Sequence, residues 1–174
     1  NRTGPFDLYQ KLTSGAGDEE LLLKTSANKA PTGWSRDGRF LLYQELDPKT
    51  GWDLWVLPLE GERKPAAFLR TEFDERLGRF SPDGKWVAYQ SNESGRYEVY
   101  VRPFSAAQLG GGGQWPVSTG GGEQPRWRGD GRELFYLAPD RKLMAVEVKA
   151  GAGFAADIPR PLFPTRAIPG NFSR

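Results

Sequence analysis

The stretch Gly78-Arg79-Phe80-Ser81-Pro82-Asp83-Gly84-Lys85-Trp86-Val87-Ala88-Tyr89-Gln90-Ser91 constrains the chain most, because the chain repeats it. It reads as a strand, a tight turn and a second strand. Pro82 presets φ near −65°, Asp83 folds its carboxylate onto nearby backbone N–H groups, and Gly84 accepts a positive φ. Trp86 to Tyr89 are the aromatic and β-branched residues that suit a packed strand. Trp34-Ser35-Arg36-Asp37-Gly38-Arg39-Phe40-Leu41-Leu42-Tyr43-Gln44 is one imperfect copy, and Trp127-Arg128-Gly129-Asp130-Gly131-Arg132-Glu133-Leu134-Phe135-Tyr136-Leu137 is another. The turn glycines at 38, 84 and 131 stand 46 and 47 residues apart.

A second marker keeps the same period. Asp7-Leu8-Tyr9, Asp53-Leu54-Trp55, Glu98-Val99-Tyr100 and Lys142-Leu143-Met144 share a polar, aliphatic, large apolar pattern, with last members 46, 45 and 44 residues apart. A period near 45 marks blade or solenoid arrays. Each period holds four strand-like runs. The first full unit has Ala30–Ser35, Arg39–Glu45, Trp52–Leu59 and Ala66–Leu69. The second has Arg76–Ser81, Trp86–Ser91, Tyr97–Phe104 and Gln114–Ser118, and the third Gln124–Arg128, Glu133–Ala138, Lys142–Lys149 and Pro161–Phe163. Half a unit precedes them, at Phe6–Lys11 and Leu21–Lys24. Phe40-Leu41-Leu42-Tyr43 and Leu134-Phe135-Tyr136-Leu137 are apolar on both faces, so these strands are covered on both sides. The expectation is an all-β chain: a β-propeller segment of four-stranded antiparallel blades, about three and a half in number. The expected boundaries are a half blade over 1–28, blades over 29–74, 75–122 and 123–165, and over 166–174 a tail or the start of a further blade.

Composition removes several function classes. The 174 residues contain no Cys and no His, which excludes disulfides, Cys/His zinc sites and a Ser-His-Asp triad within this chain. Ser81 and Ser118 lack a His to act as base, so neither is a nucleophile. The glycine runs 110–113 and 120–122 lack a following Lys-Ser/Thr and open no helix, so they read as strand connections rather than a phosphate loop. Asp37, Asp83 and Asp130 fall one per blade, each before Gly, and read as turn formers rather than a metal or acid–base set. No catalytic residue, metal ligand or cofactor is expected. A net charge of +2 with both signs interspersed argues against a nucleic-acid face. Arg–aromatic neighbours such as Arg79-Phe80 and Arg126-Trp127-Arg128 read as inter-blade core, with the arginines stacking on aromatics or pairing with acids. No apolar run reaches the roughly 18 residues of a spanning helix, so no membrane contact is expected of this segment. The chain opens on Asn1, which suggests upstream sequence has been removed.

The motif from Phe80 to Tyr89, with Glu98-Val99-Tyr100-Val101 following, resembles the TolB-type (WD40-like) β-propeller repeats of bacteria. Asn92 to Phe104 looks closer still to the repeats that lie C-terminal to bacterial serine/threonine protein kinases. Two copies depart from the motif, with Arg36 and Gly129 where the second has Pro82, yet both keep Asp-Gly. Family propellers have six to eight blades, so this chain is expected to be a fragment, an open arc, or half of a ring made from two copies. The resemblance implies a non-catalytic sensor or scaffold module of a larger bacterial protein that binds a protein, peptide or ligand, with an extracytoplasmic location. Its alternatives are the substrate-gating propeller of a prolyl-oligopeptidase-type peptidase and a TolB-like periplasmic envelope protein.

In a propeller, the loops leading into the innermost strands crowd the mouth of the central channel, where partners dock. Here they offer Asn28 and Lys29, then Phe73, Asp74, Glu75 and Arg76, then Glu123 and Gln124. This mixed-charge mouth suits a protein or peptide partner. Solvated loop charges are the competing reading.

Overall fold

The structure, a computed structural model, describes residues 5–109, 111–150 and 153–167. Most of the expected tail over 166–174 therefore lies outside the described residues, as do 1–4 of the half blade and Gly110 of the first glycine run. The described residues form strands and no helix. A hairpin of β1 (Leu8–Gln10) and β2 (Glu20–Leu23) leads. The first blade is β3 (Lys29–Trp34), β4 (Phe40–Asp47), β5 (Gly51–Pro58) and β6 (Ala66–Leu69), paired in that order. The second is β7 (Glu75–Phe80), β8 (Trp86–Ser91), β9 (Glu98–Pro103) and β10 (Trp115–Pro116). The third runs β11 (Glu123–Trp127), β12 (Glu133–Leu137), β13 (Lys142–Ala150), and all pairings are antiparallel. Its outer edge is shared by β14 (Phe154–Ala156), which pairs Val148 to Ala150, and β15 (Arg160–Pro164), which pairs Lys142 to Ala145. The chain is thus a β-propeller segment of about three and a half blades. Only β14 had no counterpart among the expected runs.

The repeated turn follows the residues read for it. Gly38, Gly84 and Gly131 take φ of 74°, 71° and 75°. In the second blade, the Ser81 hydroxyl donates to Asp83 Oδ1 at 2.5 Å and accepts from the Trp86 amide at 3.0 Å, while Asp83 Oδ1 accepts from the Lys85 amide at 3.1 Å. Ser35, Asp37 and the Phe40 and Arg39 amides repeat this pattern. In the third blade, Arg128 replaces the serine and reaches Asp130 and Glu133 with its guanidinium. The three aspartates serve the turns.

Three apolar layers hold the sheets face to face. Leu8 and Leu22 of the hairpin meet Leu41, Tyr43 and Leu57. Leu42, Leu54 and Phe68 meet Val87, Tyr89 and Tyr100. Trp86, Ala88, Val99 and Val101 meet Leu134, Tyr136, Val146 and Phe154. Neighbouring residues on β4 and β8 thus feed opposite layers, which is why those strands do not alternate polar and apolar. Aromatics fill the widening gaps: Phe104 lies edge-on to Phe40 and Phe80, and Trp86 edge-on to Trp115.

A polar clamp ties the second strand of one blade to the innermost strand of the next. β7 and β11 each carry a bulge, and Leu77 and Gln124 there take positive φ of 54° and 59°. A non-glycine residue in that region needs support from its surroundings. The buried Gln44 of the first blade accepts from the Leu77 amide at 3.0 Å, and the buried Gln90 of the second accepts from the Gln124 amide at 2.9 Å. In the first blade, Pro31 fills the position of Leu77 and has no N–H to satisfy, while Leu137 stands where the third blade would carry its glutamine.

Candidate functional site

The loops read as the channel mouth sit at the start of β3, β7 and β11, and the structure separates their residues. Lys29 is 3% exposed, donates to the Ala27 carbonyl at 2.8 Å and pairs with Asp7 at 3.5 Å. Asn28 accepts from the Phe6 amide at 3.1 Å and gives its own carbonyl to the Leu46 amide. These two tie the hairpin to the first blade. Glu75 is 1% exposed, and the Thr71 hydroxyl donates to it. Burial pushes its carboxyl up to about 7, with the charges of Asp53 and Asp74 adding to the shift. Asp53, itself buried, is raised by burial in the same direction. The Gln124 amide belongs to the clamp described above.

Asp74, Arg76 and Phe73 keep part of their surface in water. Asp74 accepts both guanidinium arms of Arg76, at 2.6 and 2.5 Å, and the Tyr97 hydroxyl at 3.0 Å. The Asp74 amide in turn donates to Asn92 Oδ1 at 2.9 Å. The Arg76 guanidinium lies 5.9 Å from the Trp52 ring centre and 5.7 Å from that of Tyr97, within cation–π range. Glu123 of the next blade adds its charge to the field at Arg76 and Tyr97. Burial beside Asp74 raises the Tyr97 phenol to about 12, so it stays a donor at physiological pH. The loops at this end therefore carry a fixed Arg–Tyr–Trp cluster that spans two blades. Trp52 and Tyr97 were absent from the residues read as the mouth. Their signal was their place in the second marker, each one residue before its polar member.

Three grooves open at the opposite, turn-bearing end of the inner strands, and none is lined by a residue read as the mouth. One of about 610 Å³ runs between the second and third blades past Asp83, Trp127, Arg128 and Asp130. Another of about 430 Å³ lies between the first and second blades, past Asp37, Arg39, Phe40 and Phe104. The third, of about 300 Å³, is bordered by Trp34, Arg79 and Trp127. Among the described residues no group of three or more acidic side chains is arranged to hold a metal ion.

The class defined by this fold is the β-propeller. Solved structures similar to the chain include a protein assigned as TolB from Agrobacterium tumefaciens, at TM-score 0.66 and 16% identity over 86% of this chain and 55% of that one. TolB from Acinetobacter baumannii matches at TM-score 0.65 and 18% identity, over 91% of this chain and 38% of that one. A protein assigned as a 6-phosphogluconolactonase from Bacteroides uniformis matches at TM-score 0.60 and 15% identity, over 91% of this chain and 52% of that one. The chain spans about half or less of each of these proteins, and at such identities the likeness is one of fold. No protein-family model and no curated protein matches the chain.

Proposed function

We propose that the chain is a non-catalytic propeller module that binds a protein or peptide partner at the channel mouth. The observation that carries this reading is Arg76, gripped by Asp74 and stacked between Trp52 and Tyr97. Arg, Tyr and Trp are the residue types that dominate binding energy at protein interfaces, and a side chain already held in place loses little entropy when a partner arrives. Glu123 adds its charge to this cluster. Phe73 and Glu75 adjoin Asp74 and Arg76 in the chain, Gln124 follows Glu123, and Asn28 and Lys29 hold the leading hairpin to the first blade. The resemblance to kinase-linked TolB-type repeats supports a parent that is a larger bacterial protein, a signalling kinase in particular, with this module outside the cytoplasm as its sensor or scaffold. The partner is a polypeptide rather than a nucleic acid.

Selection of peptides from a displayed library against the full-length protein tests this. Selected binders should lose at least tenfold in affinity towards Arg76→Ala or Tyr97→Ala variants that keep their fold. Binders indifferent to both changes, or turnover of peptide, ester or lactone substrates by the purified chain, would overturn the reading.

A further inference from the structure

At the turn-bearing end, the innermost strands finish in three equivalent pairs: Gly33-Trp34 on β3, Arg79-Phe80 on β7 and Arg126-Trp127 on β11. Trp34, Arg79, Phe80, Arg126 and Trp127 of these pairs, with Arg36, border the 300 Å³ groove. Among the described residues, Arg39, Arg63, Arg70, Arg76, Arg96, Arg128 and Arg160 all have an acidic partner within 4.0 Å. The groove arginines Arg36, Arg79 and Arg126 have no such ion pair among the described residues, a lack shared by Arg132, Arg141 and Arg166 but concentrated in one groove only here. The sequence expectation that arginines beside these aromatics would stack or pair with acids holds for Arg128 and fails here, because both neighbouring blades bring a cation to the same place.

Arg79 is partly buried, and its backbone carbonyl accepts from the Trp127 indole at 3.1 Å, which fixes β7 against β11. Arg126 donates one guanidinium arm to the Pro125 carbonyl at 2.8 Å. Burial, reinforced by the like charge of Arg126, lowers Arg79 to about 10. Two guanidinium groups thus line one groove from the innermost strands of neighbouring blades, at an electrostatic cost, and among the described residues neither has a carboxylate partner within 4.0 Å. Their planar donor forks match an oxyanion. Trp34, 49% exposed, forms an apolar wall on the same groove.

We propose that this groove binds the carboxylate of an acidic peptide segment, with Arg79 and Arg126 as its joint ligands and Trp34 packing against the neighbouring apolar side chain. Room of about 300 Å³ suits one or two side chains of an extended segment. The groove lies at the other end of the inner strands from the Arg76 cluster, so its test stands apart from the mouth reading. Positive charge here also accelerates encounter with an acidic partner, in a salt-dependent way.

Calorimetric titration of the full-length protein with the capped peptide Ac-Leu-Glu-Glu-Leu-NH2 tests the proposal, with Ac-Leu-Gln-Gln-Leu-NH2 and inorganic phosphate as comparisons. The acidic peptide should bind at least tenfold more tightly than the glutamine peptide, and high salt should weaken it. Quenching of tryptophan fluorescence, lost in Trp34→Leu, should accompany binding. Arg126→Met, at an exposed position, should cost at least tenfold in affinity without lowering thermal stability, and Arg79→Met should do the same if it folds. Equal binding of the two peptides, binding unchanged in Arg126→Met, or binding of phosphate with none of the acidic peptide would overturn the proposal.

Discussion

Glu75 is the residue where burial and charge collide. Its carboxyl is 1% exposed, and its pKa is raised from an ordinary 4.5 to about 7, chiefly by burial. The folded state therefore keeps a proton that the unfolded state has lost between those two values. Stability from this group is full below about 4.5 and falls as pH rises through about 7. Thermal unfolding should show a decline between pH 5 and 8, and Glu75→Gln should flatten it. The variant should gain stability at pH 8, by as much as about 3 kcal/mol at about 1.4 kcal/mol per pH unit, and little at pH 5. A wild-type protein equally stable across that range would refute this account. Gly78 is constrained in another way. A Cβ there would meet Leu42 Cδ2 at 2.7 Å, in the layer between the first two blades. Gly78→Ala should cost about 1–3 kcal/mol through overpacking, and Gly84→Ala should lose stability through its positive φ instead; denaturant titration compares the two.

At the scale of elements, the inner strands are held by the glutamine clamp as well as by their apolar faces. Gln90→Met preserves volume while depriving the Gln124 amide of this acceptor. The loss should be about 1 kcal/mol, the net worth of one hydrogen bond, and amide exchange at Gln124 should rise more than at the amides of β12. Unchanged exchange there would show that the clamp contributes nothing. The strands themselves were largely legible: Ala66–Leu69 and Trp86–Ser91 emerged as read, and most others shifted by only a residue or two, since turn residues punctuate a short apolar pattern. β14 was hidden because Phe154-Ala155-Ala156 carries no alternation, and only the unusual length of β13 gives it an edge to pair with.

Across the whole molecule, the arc leaves apolar surface at both ends. Tyr9, Leu12 and Leu21 are exposed beside the leading hairpin, and Ile158, Leu162 and Phe163 beside the third blade, with Ile158 at 89%. Repeat arrays need polar caps at such ends, and this arc is an incomplete propeller that calls for further blades. The isolated 174-residue chain should therefore self-associate as concentration rises in light scattering. Monodisperse monomer at every concentration would mean that these ends need no cover.

Period, turn chemistry and two-faced strands are local properties, so the sequence alone determined the blade, the count of blades within this segment and the absence of a His- or Cys-based site in these residues. For the residues expected at the channel mouth, their loops were legible in the sequence but their surroundings were not. Whether Lys29 faces water or Asp7, whether Arg76 finds Trp52, and whether Arg79 meets another arginine depend on which blade lies alongside. That neighbour is about 45 residues away in the chain and a few ångströms away in space. Tertiary packing decided these contacts, because burial and charge act through distance in space, which the repeat period does not encode.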